Sequence, residues 1–267
     1  MNRKLILVVV ILLVALPCWG GVDFDGIDDI LIESSDPALT GNKFSIFSIV
    51  RIDALPVVGD AFIHTIYTND GVSSVDGVEL RLGLDGTDGG KDNFHCHQVN
   101  SDNSPTRSSV NSTLVVSTGV WYSIFCWNSS NAINIKVCDL ETSSCTETTG
   151  DSTSGESIKT VSGTDIGSRS GGRFWDGVID SLVVWDDQVV RVPFEDSLES
   201  GYKKRLVCQS QPEDLVLYLI LDECANGKDC DGKIFQSPCN VSITASGDNG
   251  ANNTGLSGAG IELLNYP

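Results

Sequence analysis

The stretch Phe44-Ser-Ile46-Phe-Ser48-Ile-Val50-Arg-Ile52 constrains what this chain can become more than any other. Its apolar residues recur with a period of two, which an extended strand converts into a buried face. Its length suits a strand running through the middle of a sheet. Further strands are expected at Ala61–Tyr67, Val78–Leu84, Asn93–Val99, Trp121–Trp127, Ile133–Cys138, Val178–Trp185 and Leu215–Leu221. Val, Ile, Phe, Tyr and Trp dominate these runs, as strands prefer. Between them lie segments rich in Gly, Ser, Thr and Asp, such as Asp85–Asp92 and Thr149–Glu156, which read as loops. One short helix is expected, from Phe194 to Lys204. Many strands separated by turn signals point to an all-β sandwich or barrel.

Residues 1–20 read as a leader rather than as part of that sandwich. Arg3 and Lys4 precede an apolar run from Leu5 to Leu16, followed by Pro17, Cys18, Trp19 and Gly20. A basic start, a short apolar run and small residues at its end make a secretory signal peptide. Spanning a bilayer takes roughly 20 apolar residues, and no later segment supplies them, so no membrane span is expected. Lipidation of Cys18 fits poorly with Pro17 beside it. Loss of the leader removes two of 17 basic residues and none of 36 acidic ones, moving the formal charge from −19 to −21. Such a polyanion does not favour nucleic acid or an anionic membrane surface as a partner.

Nine cysteines become eight once Cys18 leaves with the leader. An even number in an exported chain reads as disulfides. Cys138 and Cys145 would staple a hairpin, and Cys96 and Cys126 could join neighbouring strands. Cys208, Cys224, Cys230 and Cys239 would pair among themselves; they contain no CxxC pair of the kind zinc sites use. The domain is therefore drawn over residues 21–207, with a cysteine-rich segment at 208–267. Asn111, Asn128, Asn240 and Asn252 each begin an N-x-[ST] sequon.

Several segments occur in an order that carries a resemblance. Phe24-Asp-Gly-Ile-Asp28-Asp29 comes first, then the Phe44–Ile52 strand, Val120-Trp121-Tyr-Ser-Ile124 and Asn131-Ala-Ile-Asn-Ile-Lys-Val137. Ile166-Gly-Ser-Arg169 and Phe174-Trp-Asp-Gly177-Val-Ile-Asp180-Ser-Leu-Val-Val-Trp185 follow. Over about residues 22–190 the chain resembles the laminin-G-like, concanavalin-A-like superfamily. That resemblance implies a two-sheet antiparallel jelly-roll β-sandwich. Leu215–Leu221, with the Gly/Asn-rich stretch after it, resembles a strand that usually precedes the F-D-G segment. A permuted arrangement follows, in which 215–221 pairs beside the N-terminal strand and completes the sandwich.

The resemblance also implies chemistry. A structural calcium ion would fall to Asp25, Asp28 and Asp180, since hard cations take several carboxylate and carbonyl oxygens; the same aspartates could instead cap turns. Glycan binding would draw on aromatic stacking, for which Trp127, Trp175, Tyr67 and Tyr122 are candidates. His95 and His97 share one strand face, where they would either meet a ligand or remain solvated surface. Trp121 and Trp185 are expected in the core. Catalysis finds no E-x-D-x-x-E, G-x-S-x-G, H-E-x-x-H or phosphate-binding glycine loop. The expected function is thus a secreted, non-catalytic, lectin-like recognition or adhesion module for a glycan or a surface protein. A self-associating surface, matrix or virion decoration protein is the alternative, and a glycoside hydrolase a more distant one.

Overall fold

The computed structural model describes residues 22–27, 30–33, 39, 41–57, 63–69, 77–83, 90, 92–99, 107–129, 132–152, 158, 164–169, 172–187, 215–220, 234–236 and 242–246. The leader, the helix expected at Phe194–Lys204, Asp28, the last four cysteines and the sequons at Asn240 and Asn252 lie outside these residues. No helix occurs among the described residues, and therefore none long and apolar enough to cross a membrane.

The chain is all-β and forms two antiparallel sheets packed as a sandwich. The first sheet holds seven strands. Six of them run in the order β1 (Val22–Asp25), β12 (Asp176–Trp185), β3 (Lys43–Ile52), β8 (Trp121–Ser129), β9 (Ala132–Asp139) and β10 (Cys145–Ser152). The seventh, β13 (Leu215–Ile220), also pairs with β12. The second sheet holds eight: β14 (Ile234–Gln236), β15 (Ser242–Ser246), β2 (Ile30–Glu33), β11 (Asp165–Ile166), β4 (His64–Thr68), β5 (Val78–Leu82), β6 (Phe94–Val99) and β7 (Arg107–Asn111).

Strand β3 behaves as its periodicity dictates. Phe44, Ile46, Val50 and Ile52 enter the core between the sheets, where Ile124, Cys126, Ile135, Val137, Leu182 and Val184 meet Leu80, Leu82, Phe94 and Cys96. The residues of opposite parity face away from that core. Some of these are apolar as well: the rings of Phe47 and Phe125 meet at a tilt, 6.3 Å apart, and Phe125 lies 5.4 Å from Trp127 and 6.5 Å from Trp185. Trp185 is buried as expected, but on this second face rather than in the core between the sheets. Trp121, expected in the core, is half-buried beneath the Arg51 guanidinium.

Strand β12 organises the first sheet. One edge pairs with β3; the other is shared end to end by β1, along Gly177 and its neighbours, and by β13, from Ser181 to Trp185. The register to β3 jumps between Ile179 and Ser181, making Asp180 a bulge residue at the joint between β1 and β13. Gly177 has φ +143, and a Cβ there would sit 2.1 Å from the Arg51 carbonyl oxygen, so the close β12–β3 approach requires glycine.

Both described disulfides close this scaffold. Cys138–Cys145 staples the β9–β10 hairpin as the spacing predicts. Cys96–Cys126 does not join neighbouring strands. It crosses the core from β6 to β8, because both residues lie on the inward faces of opposite sheets. Phe94 and Tyr122 make an edge-on contact beside it at 5.8 Å. Residues 149–152, read as loop, belong to β10, which continues past an irregularity between Thr149 and Ser152. The sandwich is closed there: Asp151 accepts hydrogen bonds from the N–H and hydroxyl of Ser109 on β7.

Candidate ligand-binding face

The second sheet places its apolar residues inward and collects chemistry on its other face. On β5, Val78, Leu80 and Leu82 belong to the core, so Glu79 and Arg81 project the opposite way. On β6, Phe94 and Cys96 point inward and His95 and His97 outward. Antiparallel register then aligns these residues across strands. Thr65, Arg81, His95 and Asn111 form one row over β4, β5, β6 and β7. Glu79, His97 and Ser109 form the next. At about 4.8 Å between strands, the longer row spans about 14 Å.

Glu79 is the hub. One carboxylate oxygen, Oε2, accepts Nη1–H bonds from Arg81 and Arg169, each at 2.9 Å. The other, Oε1, accepts from the Thr65 hydroxyl at 2.9 Å. His97 Nε2 lies 3.6 Å from Oε2. Next in the row, His95 Nδ1 pairs with Asn111 Oδ1. Arg169 comes from beyond β11, where its backbone forms a two-bond bridge with Gly172.

These groups are withdrawn from water: Glu79 is 0% exposed, Arg81 and His95 5%, His97 6% and Arg169 7%. Burial favours the neutral carboxyl of Glu79, but the arginine charges and the Thr65 bond outweigh it and hold its pKa at about 2. Burial, reinforced by repulsion from Arg81, lowers His95 to about 4 against the opposing bond from Asn111. Burial also drives His97 well below its ordinary value, despite the attraction of Glu79. Both imidazoles are therefore neutral near pH 7, and the two arginines rather than His97 keep Glu79 ionised.

The residues singled out in the sequence fare differently. His95 and His97 do share a face, but they are buried rather than solvated, and their rings meet edge-on at 5.8 Å. Trp175 is 0% exposed, and Tyr67 and Tyr122 are buried, so none presents an open ring for a sugar to stack on. Trp127 is buried on the far face of the first sheet, away from the histidines. Asp25 accepts the Ile27 N–H, as a turn-capping aspartate does. It sits opposite Asp176, four residues along β12 from Asp180. At about 3.3 Å per residue that is about 13 Å, too far for one ion to bind both. Asp180 is buried and accepts the Ser181 hydroxyl. Among the described residues no three His, Cys, Asp or Glu side chains group to hold a metal ion.

Glu79, Arg81 and Thr65 were not singled out from the sequence, and Asn111 and Arg169 stood out only as a sequon and as part of a motif, not as site residues. A signal was present: Glu79-Leu-Arg81 and His95-Cys-His97 both alternate polar with apolar residues. Their alignment needed the β5–β6 register, which the sequence does not print.

No family model and no curated protein sequence matches this chain. Among solved structures, it is similar to the full-length tailspike protein 2 from Escherichia coli O157:H7 bacteriophage CAB120, at 14% identity and a TM-score of 0.49, over 75% of this chain and 26% of that one. A native heptameric SAP-like pentraxin from Limulus polyphemus matches at 16% identity and 0.46, over 72% and 87%. A putative carbohydrate binding protein from Bacteroides ovatus matches at 18% and 0.46, over 85% and 59%. The chain thus spans about a quarter of the tailspike's length. Likeness at this level says nothing about activity, and what this chain does has to be read from its own residues.

Proposed function

We propose that the protein is an exported, non-catalytic recognition module that binds a glycan at the outward polar face of the eight-stranded sheet. The observation that carries this is the gathering of Glu79, Arg81, Arg169, His95 and His97 on the face turned away from the core. Apolar residues would stabilise such a face at least as well, since burying charges costs several kcal/mol per ion before pairing. Strongly perturbed titratable groups held in one place are a mark of function. Neutral imidazoles both donate and accept, as does the Asn111 amide, and such groups suit the hydroxyls of a sugar. Catalysis is disfavoured by the same chemistry, because a carboxylate held ionised down to about pH 2 is a poor general acid. Export is supported by the two disulfides.

The test is a glycan panel probed with the purified, oxidised protein and with a His95→Ala, Asn111→Ala variant. Binding to a defined saccharide that weakens at least about tenfold in the variant supports the proposal. Absence of binding to every saccharide, or binding untouched by the double substitution, would sink it.

A further inference from the structure

We infer that Asn111 carries an N-linked glycan in the exported protein, and that Asn128, the other sequon within the described residues, does not. The inference stands apart from the glycan-binding proposal, since it concerns a sugar joined covalently to this chain. Both residues begin an N-x-[ST] triplet, Asn111-Ser-Thr113 and Asn128-Ser-Ser130. The triplets are equivalent in sequence; their places in the fold are not. Asn111 is the last residue of β7, the strand at the end of the eight-stranded sheet, and it is exposed. Val110 beside it belongs to the core, so Asn111 points outward. Thr113, whose hydroxyl completes the triplet, is exposed in the non-strand stretch that follows. Ser112 pins that stretch to β6: its N–H donates to the Phe94 carbonyl at 2.8 Å, and its hydroxyl accepts the Phe94 N–H at 3.0 Å.

The amide nitrogen separates the two sites. Transfer from a lipid-diphosphate-linked oligosaccharide joins C1 of the first sugar to the asparagine Nδ2. The C1–O bond to the lipid diphosphate breaks, the diphosphate leaves, and Nδ2 gives up one proton. One N–H and the carbonyl Oδ1 remain. The side chain of Asn111 is engaged through Oδ1, which pairs with His95 Nδ1, so that bond survives the transfer. At Asn128 both amide hydrogens are already used: Nδ2 donates to the Asn42 carbonyl at 3.0 Å and to Gln98 Oε1. Asn128 is 0% exposed, and Gln98 lies on β6 of the opposite sheet. A sugar at Asn128 would have to part the sheets and would leave a buried acceptor without its donor. A chain glycosylated there before folding could not reach this structure. A glycan at Asn111 leaves the sheet at the end of the Thr65, Arg81, His95 and Asn111 row. Protein made in a host without N-glycosylation is therefore the form to put to the glycan panel.

The experiment secretes the full chain from a eukaryotic cell line and takes the fraction in which Cys96–Cys126 and Cys138–Cys145 have formed. Enzymatic release of N-glycans in heavy-oxygen water converts each formerly glycosylated asparagine to a heavy aspartate, and peptide mass spectrometry reads every sequon separately. The expected result is the heavy mark at Asn111 in most molecules and none at Asn128. Thr113→Ala, which breaks the triplet while keeping Asn111 and its bond to His95, should abolish the mark at Asn111. An unmarked Asn111 in the folded, secreted protein would overturn the inference, and so would a marked Asn128. Neither result touches the glycan panel run on unglycosylated protein, so the two readings fail independently.

Discussion

Arg169 reaches across β4 to meet Glu79 on β5, Nη1 to Oε2 at 2.9 Å, although 90 residues separate them in the chain. The bond ties the segment after β11 to the centre of the second sheet. Removing one partner of a buried ion pair strands the other charge, at a cost of about 3–5 kcal/mol. Arg169→Ala should therefore lower the denaturant midpoint, and Glu79→Gln should do the same. The double variant should lose less than the sum, because the bond between Glu79 and Arg169 can be lost only once. Urea unfolding of the three variants would check this, and additive losses would contradict it.

Acid should destabilise the fold in two stages. His95 titrates at about 4 in the folded protein and near 6.5 when unfolded, so the unfolded chain binds the extra proton as pH falls between them. Stability is then complete above about pH 6.5 and declines toward pH 4, by on the order of 3 kcal/mol for this group. His97 is depressed too and acts in the same direction. Glu79 has the depressed folded pKa of a paired carboxylate, so its contribution is present above about 4.5 and lost as pH falls toward 2. Melting temperature measured from pH 8 to pH 3 should decline from about pH 6.5. In His95→Gln the first stage should shrink.

The two disulfides should differ in weight. Cys96–Cys126 spans 30 residues and Cys138–Cys145 spans 7. Loop-closure entropy gives about 3.5 kcal/mol for the first and about 2.4 for the second. The cross-sheet bridge is also buried in the core, whereas Cys145 is exposed at its hairpin. Paired Cys→Ala replacements, followed by thermal unfolding, should show the larger loss for Cys96 and Cys126.

Asp25 and Asp180 should behave as strangers. With about 13 Å between their positions along β12, Asp25→Asn and Asp180→Asn should combine additively, within about 0.5 kcal/mol. A shared ion would couple them and make the melting temperature of the wild type, but not of either variant, climb with added calcium.

Glycine at position 177 should resist replacement. A Cβ would lie 2.1 Å from the Arg51 carbonyl oxygen, in a backbone conformation that L side chains rarely adopt. Gly177→Ala should cost several kcal/mol, at the severe end for a single substitution, visible as a lowered melting temperature.

Much of the fold could be read in advance wherever side chains alternate regularly. The strands expected at Phe44–Ile52, Val78–Leu84, Asn93–Val99 and Trp121–Trp127 became β3, β5, β6 and β8, because a period of two suits only extended chain. Strands without that pattern escaped. Arg107–Asn111 is polar throughout but for Val110, and Cys145–Ser152 carries no large apolar side chain. Pairing with an apolar neighbour, not their own composition, makes them strands.

The sequence by itself determined that the chain would be all-β, that cysteines would pair, and that His95 and His97 would share one face. These follow from covalent geometry, since neighbouring side chains on a strand must point opposite ways. Only the tertiary structure decided what those histidines face. Strand register, which no local propensity specifies, set Arg81 beside His95 and Glu79 beside His97. The chain's return after β11 then delivered Arg169 to the same carboxylate. It also turned Cys96 and Cys126 toward each other across the core rather than along one sheet. Neighbours in space from distant parts of a chain are chosen by packing and pairing together, and a linear pattern carries only half of each choice.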